Sequence, residues 1–272
     1  MIYFVLLFLT FLAGFIIFSL RFAWWRKSVS YDFARVLMYH MISPHLAKNE
    51  SKFNRLRVTP QNFEKQIAWL SKNGFKSYFL SEFANLENLP PKAVCITFDD
   101  GYKDNLTNAL PILQKYNFKA NIFIVANRFT QDWATDKDLG KSSDELNSEA
   151  MLSHEDTQKL LESGLIEIGS HTLNHANLPS LNTKEKIDEI ANSKEQIEQI
   201  YGIKCETFAY PFGFFDDEST QIAGQNYKFC VTTQNGVFDS KKYPLSQIPR
   251  LMVSGKMGLF GFTLLIKKGR RR

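Results

Sequence analysis

Cysteine is scarce in this chain of 272 residues, which has three in all. Cys95, Cys205 and Cys230 are an odd number, and none of them belongs to the short Cys-x2-Cys spacings of zinc or redox sites. The sequence therefore excludes a disulfide framework and a cysteine-based zinc module. Two of the three fall in predicted strands, which indicates buried, reduced thiols and favours a reducing compartment.

Charge is absent from Ile2 to Leu20, a run of 19 residues. At about 1.5 Å rise per residue a helix of this length spans about 28 Å, enough to cross the hydrocarbon of a bilayer. No basic segment precedes the run and no small-x-small cleavage site follows it, which favours an uncleaved anchor over a signal peptide. Trp24 and Trp25 stand where an interfacial aromatic belt is expected. Residues 1–27 are therefore predicted to form a transmembrane anchor with a basic flank.

The cations around this run predict which side of the membrane the rest of the chain occupies. Arg21, Arg26 and Lys27 follow the run and no cationic side chain precedes it. Positive flanks are retained in the cytoplasm, so the domain is expected on the cytoplasmic face of the inner membrane. Residues 257–272 combine apolar residues with a cluster of terminal cations, which resembles a polybasic tail for anionic lipids. An ordinary C-terminal helix with a charged end is the alternative.

The body of the chain lacks a basic surface signal. The formal net charge is +5, but the terminal cations outnumber this excess, so the body holds more acids than bases. Nucleic-acid binders carry basic residues on the folded domain, interleaved with aromatics. We therefore expect no nucleic-acid partner. We find no internal repeat and no low-complexity tract, and the length suits one sizeable domain.

Short apolar runs alternate with helical patterns, the order typical of an α/β protein. Such a chain forms either an open doubly wound sheet or a (β/α) barrel, and in both the chemistry gathers at the carboxyl ends of the strands. The polar residues 128–152 are interpreted as a surface insertion that borders the site. Six strands are predicted: Ala34–Tyr39, Ala93–Phe98, Ala120–Val125, Leu165–Gly169, Thr207–Tyr210 and Lys228–Thr232.

Two adjacent carboxylates follow the strand Ala93–Phe98. Asp99 and Asp100 point in different directions from an extended chain, so one can bind a metal while the other faces the reacting water. Without other motifs, Asp-Asp-Gly usually forms a solvent-exposed turn, which is the alternative here.

Two histidines follow the strand Leu165–Gly169. His171 and His175, four residues apart in a helical turn, would offer two imidazoles to one ion. With one carboxylate they make a three-ligand site that leaves positions open, as expected of a catalytic metal in hydrolysis. Zinc suits these ligands, and so do iron, cobalt and nickel.

Three segments in a fixed order resemble the NodB-type polysaccharide deacetylases of carbohydrate esterase family 4. They are Thr97-Phe-Asp-Asp-Gly-Tyr102, Ser170-His-Thr-Leu-Asn-His175 and Phe208-Ala-Tyr-Pro-Phe-Gly213. The opening Val36-Leu-Met-Tyr-His40 is similar to the branch that deacetylates poly-N-acetylglucosamine. The resemblance implies a distorted (β/α) barrel with fewer than eight regular repeats, which we place at residues 33–256.

The resemblance also implies roles for single residues. Asp99 matches the general base, and Asp100, His171 and His175 match the ligands of a divalent metal. Phe212 matches the position whose backbone N–H stabilises the oxyanion.

The sequence departs from the common family pattern at two places. Many members begin the third motif with an arginine that orients the base, where this chain has Ala209; Arg250 is the candidate replacement, with a surface ion pair as its alternative. The late Leu-x-His acid is absent because no histidine follows His175. His40 is the candidate for the acid or for a substrate contact, with a structural role as the alternative.

Together these features predict a metal-dependent hydrolase that removes an N-acyl group from an amino sugar. N-acetyl is the acyl group that we favour. The family resemblance favours an exported cell-envelope polymer and an extracytoplasmic site, whereas the charges favour the cytoplasmic face and a polyprenyl-phosphate-linked precursor. Membrane lipids are the other expected partner. A catalytically inactive sugar-binding module is the alternative, and a base beside a metal triad argues against it.

Overall fold

The computed structural model describes residues 2–22, 24–47, 49, 51–83, 90–129 and 144–270. Its strands are β1 Arg35–Tyr39, β2 Lys76–Ser77, β3 Ala93–Phe98, β4 Ala120–Ile124, β5 Ile166–Ser170, β6 Thr207–Ala209, β7 Phe229–Asn235 and β8 Ile248–Met252. Its α-helices are α1 Ile2–Phe22, α2 Pro60–Lys72, α3 Leu110–Tyr116, α4 Asp144–Asn147, α5 His154–Glu162, α6 Thr183–Ile187, α7 Ser193–Tyr201, α8 Asp217–Asn226 and α9 Leu259–Lys268.

The strands form a closed parallel barrel of seven strands. They pair in the order β1-β8-β7-β6-β5-β4-β3, and β1 also pairs with β3, which closes the ring. The short β2 pairs with the first two residues of β3, while β4 pairs with its last three. The predicted distorted (β/α) barrel is confirmed, and the open doubly wound sheet is excluded.

The side chains of the strands alternate between the barrel interior and the surrounding helices. On β3, Val94 and Ile96 join the core shared with the helices, whereas Cys95 packs inside the barrel. This alternation follows from the two-residue period of a strand. All three cysteines are free and buried, as predicted.

Two helices begin with side-chain caps. The Thr59 side chain accepts a hydrogen bond from the Asn62 backbone N–H at the start of α2, and Ser153 with Asp156 forms a capping box at α5. A π-helical stretch at Asp188–Asn192 joins α6 to α7.

The six predicted strands are present, and two further strands were missed. The two-residue β2 is too short to show a pattern, and β8 contains Pro249, a residue that usually argues against a strand interior. The prediction for 128–152 is only partly addressed, because 130–143 lie outside the described residues.

Helix α1 has the length and composition of a membrane span. Its residues Ile2–Leu20 have a mean hydropathy of 2.5, and none of the span is buried against the protein. Among the described helices it is the one that meets these criteria, as an anchor or as a signal sequence.

The C-terminal stretch predicted as a tail is in part a packed helix. Phe262, Leu265 and Ile266 of α9 are buried in the core, and Phe262 meets the Trp69 ring of α2 edge-on. Leu259 and Phe260 at its first turn stay exposed.

Candidate active site

A cavity of about 390 Å³ opens at the carboxyl ends of the barrel strands. The predicted site residues all line it: His40, Asp99, Asp100, His171, His175, Phe212 and Arg250. They come from loops that follow β1, β3, β5 and β6 and from β8 itself, so the closed barrel is what brings them together.

Asp99 continues the inward-facing series of β3 one residue beyond the strand. Its carboxylate is 3% exposed and accepts a bidentate pair of hydrogen bonds from Arg250, Nη1 to Oδ1 at 2.6 Å and Nη2 to Oδ2 at 2.8 Å. Burial alone would raise the pKa of Asp99, but the charge and hydrogen bonds of Arg250 bring the pKa below its ordinary value. Asp99 is therefore ionised at neutral pH and fixed in direction.

The guanidinium of Arg250 is fully engaged. It is buried, and besides Asp99 it donates from Nε to the Thr232 carbonyl at 2.8 Å and from Nη1 to the Thr97 hydroxyl at 3.0 Å. A planar guanidinium suits such a fixed fork of acceptors better than a lysine would. Arg250 therefore lies beside the carboxylate that it was predicted to orient, and its surroundings differ from those of a surface ion pair.

Asp100, His171 and His175 present three ligand atoms to one point. The three atoms lie within 4.8 Å of one another, with Asp100 Oδ1 at 3.4 Å from His171 Nε2 and 3.5 Å from His175 Nε2. Ligand atoms at about 2.0–2.2 Å from one tetrahedral ion are about 3.3–3.6 Å apart. The donor set and its spacing fit a divalent metal.

The two imidazoles both direct Nε2 towards Asp100. His171 Nδ1 lies 2.7 Å from the Ala209 carbonyl, which can only accept, so Nδ1 donates there and Nε2 is the nitrogen left for a metal. Burial, with the neighbouring His171, lowers the pKa of His175 to about 3, so His175 is neutral. The pKa of Asp100 is also lowered, because the side-chain hydrogen bond with His171 and the neighbouring imidazoles outweigh burial.

The triad is carried by irregular backbone. Asp100, Thr172 and His175 have φ values of +78°, +67° and +57°, a region that residues other than glycine rarely occupy. The prediction that the two histidines share a helical turn was wrong: they lie in a loop after β5. Such strain is tolerated where the surrounding structure holds it, and it is concentrated at functional sites.

The third motif forms a tight turn after β6. Phe212 has φ +58°, and its ring lies 4.4 Å from the His175 ring, centroid to centroid. A Cβ on Gly213, whose φ is +74°, would overlap Thr233, so the turn requires glycine there. The turn thus places Phe212 at the cavity wall.

His40 lines the same cavity at the end of β1. Its carbonyl accepts a hydrogen bond from Asn105 Nδ2 at 2.9 Å, and its ring is close enough to contribute to lowering the pKa values of Asp99 and Asp100.

Sequence reasoning missed some cavity residues. Tyr102 lies within the first motif, and burial with the neighbouring Asp100 carboxylate raises the pKa of its hydroxyl, a proximity that the motif itself could have indicated. Arg55 and Asn235 also line the cavity, and no motif marks them.

A parallel barrel with a buried, ionised carboxylate beside a carboxylate–imidazole triad is the arrangement of a metal-assisted barrel hydrolase. The sequence matches the polysaccharide deacetylase family over residues 87–228, and the chain belongs to this family. Its members are carbohydrate deacetylases, hydrolases that act on amides.

Similar proteins agree with this assignment. YxkH of Bacillus subtilis, which carries the name of a polysaccharide deacetylase, is 31% identical over 237 residues, 85% of this chain and 75% of that protein. The poly-beta-1,6-N-acetyl-D-glucosamine N-deacetylase of Staphylococcus epidermidis is 26% identical over 82% of this chain and 75% of its own length. The crystal structure of a polysaccharide deacetylase from Bacillus cereus superposes with a TM-score of 0.73 at 28% identity, over 88% of this chain and 70% of that one.

Proposed function

We propose that the chain is a metal-dependent N-deacetylase of an amino sugar in a cell-envelope glycan or in its lipid-linked precursor. The observation that carries the proposal is the buried Asp99–Arg250 pair beside the Asp100, His171 and His175 triad in one cavity. An inactive sugar-binding module would need neither the base nor the triad.

In the proposed reaction Asp99 takes a proton from the attacking water while Arg250 holds its carboxylate in place. Asp100, His171 and His175 would hold the metal, which would polarise the acyl carbonyl and make the attacking water acidic enough for a carboxylate base. The Phe212 N–H would stabilise the negative charge on the carbonyl oxygen. The water oxygen bonds to the acyl carbon, the C–N bond breaks, and the departing nitrogen takes a proton to give the free amine and acetate.

The test is metal-dependent release of acetate from N-acetylglucosamine substrates by the full-length chain. Acetate should appear with metal, stop after chelation, return when metal is restored, and be absent from the Asp99→Asn variant. Sugar binding without acetate release under all of these conditions would instead support the inactive module.

We assign proton delivery to the departing nitrogen to His40 and expect His40→Ala to lower kcat about a hundredfold with a small change in KM. The reason is that this proton is needed in the transition state and not for substrate binding. The matched control is His154→Ala, because His154 lies at the start of α5 outside the cavity. Equal kcat values for the two variants would remove His40 from the mechanism.

We also propose that residues 33–256 form the deacetylase domain and that α1 anchors it on the cytoplasmic side of the inner membrane. Support comes from the cations after α1 and from those at the C-terminus. The extracytoplasmic face is the alternative, and it would restore an exported glycan as the substrate.

Reporter fusions after Arg272 test the side of the membrane. We expect a reporter that works only after export to be inactive there, and a reporter that works only in the cytoplasm to be active at the same position. The reverse pair of results would place the domain outside.

A further inference from the structure

We infer that the sugar substrate carries a phosphate and is held by a lipid of the bilayer that α1 enters, with Arg55 as the residue that binds the phosphate. This inference rests on the proposed function and narrows its substrate class from any N-acylated amino sugar to a membrane-held phosphosugar.

Arg55 is the cation in the cavity wall that remains open to a ligand. Arg250, the other arginine of the wall, is buried and engaged with Asp99. Arg57, two residues along, is buried and pairs with Glu145 and Glu149, each at 2.8 Å. Arg55 is exposed, and its guanidinium forms no ion pair with any residue in the described part of the chain.

The loop under Arg55 is firmly held. The Arg55 carbonyl accepts a hydrogen bond from the Gly255 N–H at 2.8 Å, and a Cβ on Gly255 would overlap the backbone of Asn54 and Arg57. The backbone is thus fixed, and the exposed Arg55 stands in the cavity wall. A guanidinium presents a planar fork of donors that matches phosphate oxygens, and a neutral polymer of N-acetylglucosamine offers no such partner.

The direction of α9 relates the cavity end of the barrel to the position of α1. The helix follows β8 from the carboxyl-end side of the barrel, and its Ile266 carbonyl accepts a hydrogen bond from Arg35 at the amino end of β1. Helix α9 therefore runs from the cavity side of the barrel towards the opposite side.

The chain that leaves α1 runs beside α9 in the same direction. The Phe18 ring stacks on Phe260 in the first turn of α9, with centroids 5.7 Å apart. Further on, the Val29 N–H donates to the Lys267 carbonyl at 3.0 Å, in the last turn. The last turns of α1 therefore meet the protein at the end of α9 that lies on the cavity side.

This arrangement places the bilayer and the mouth of the cavity on the same side of the barrel. A sugar joined through phosphate to a lipid in that bilayer would meet the cavity from the membrane surface. Phe53 and Leu56, on the loop of Arg55, also line the cavity and give the first carbon atoms of the lipid an apolar surface beside the guanidinium.

The experiment compares Arg55→Gln in the full-length protein, reconstituted in lipid nanodiscs, on three N-acetylglucosamine substrates. These are the polyprenyl-phosphate-linked sugar in the same bilayer, the soluble uridine-diphosphate-linked sugar and a neutral oligomer. We expect Arg55→Gln to lower kcat/KM about ten- to hundredfold on the lipid-linked sugar and less than about twofold on the neutral oligomer. Lys52→Gln, which removes an exposed cation from the same loop outside the cavity wall, should change neither.

Three results would overturn the inference. Equal losses on the lipid-linked sugar and the neutral oligomer would give Arg55 a structural role, and no loss on either would remove it from phosphate binding. If the wild type turned over the soluble uridine-diphosphate-linked sugar faster than the polyprenyl-phosphate-linked sugar, the inference that a membrane lipid holds the substrate would be contradicted.

The proposed deacetylase function itself would fail if the wild-type protein released acetate from none of the three substrates. Binding then decides the inference: Asp99→Asn protein should bind the lipid-linked sugar about tenfold or more tightly than the Asp99→Asn, Arg55→Gln double variant. Equal binding by the two would overturn it.

Discussion

Asp99→Asn is expected to lower kcat by about a thousandfold or more while the protein keeps its metal. The substitution preserves the shape of the side chain and removes the proton acceptor. It leaves Asp100, His171 and His175 untouched, and their ligand atoms lie within 4.8 Å of one another without any contribution from Asp99. The measurements are acetate release and metal content of the purified full-length protein by elemental analysis.

Asp100→Asn is the matched variant, because it makes the same chemical change one residue away. Here we expect loss of the metal and, with it, loss of turnover, since Asp100 Oδ1 faces both imidazoles at 3.4 and 3.5 Å. Retention of metal by Asp100→Asn together with its loss from Asp99→Asn would reverse the two roles.

The two aspartates also show how far the sequence predicts the site. The inward direction of Asp99 follows from the two-residue period of a strand. Cys95, four residues earlier, also faces the barrel interior. The direction of Asp100 depends on its φ of +78°, which the surrounding fold imposes and no local pattern encodes. The residue types were therefore readable from the motif, but the geometry of the triad was not.

His171 and His175 illustrate the same limit. A spacing of four residues fits a helix, but the positive φ of Thr172 and of His175 lets a loop bring the two rings together instead. Their common direction is a property of the whole segment, in which His171 is held by the Ala209 carbonyl of the neighbouring strand. A tertiary contact of this kind leaves no periodic signal in the sequence.

Arg250 was predicted from a residue that the third motif lacks, and not from a local pattern around Arg250 itself. It is 151 residues from Asp99 along the chain, and Pro249 hides the strand that carries it. The missing arginine of the third motif indicated that a replacement was needed, and an arginine between apolar neighbours was the candidate. Only the closure of the barrel between β1, β3 and β8 accounts for its contact with Asp99.

Arg250→Met is expected to destabilise the protein by about 3–5 kcal/mol at neutral pH, because it leaves the Asp99 carboxylate buried without its partner. In the wild type the pKa of Asp99 is lowered in the folded state, so its contribution to stability is present above the unfolded pKa of about 3.9 and is lost as the pH falls through the folded value. In the variant the contribution of Arg250 is gone and only the smaller effects of His171 and His40 oppose burial, so this pKa rises and ionised Asp99 disfavours folding.

The stability difference between wild type and Arg250→Met should therefore be large at pH 7 and should shrink as the pH falls through the range in which Asp99 of the variant becomes protonated. Thermal unfolding of the metal-free full-length proteins in one detergent, followed at a series of pH values, measures it. The acid limb of kcat/KM should move to higher pH in the same variant, since a base with a raised pKa is protonated sooner on acidification. Arg250→Lys keeps a charge but lacks the fork that holds both carboxylate oxygens, so it should recover much of the pH dependence and less of kcat. A stability difference that is the same at all pH values would mean that Arg250 acts by packing and that the charge of Asp99 has another partner.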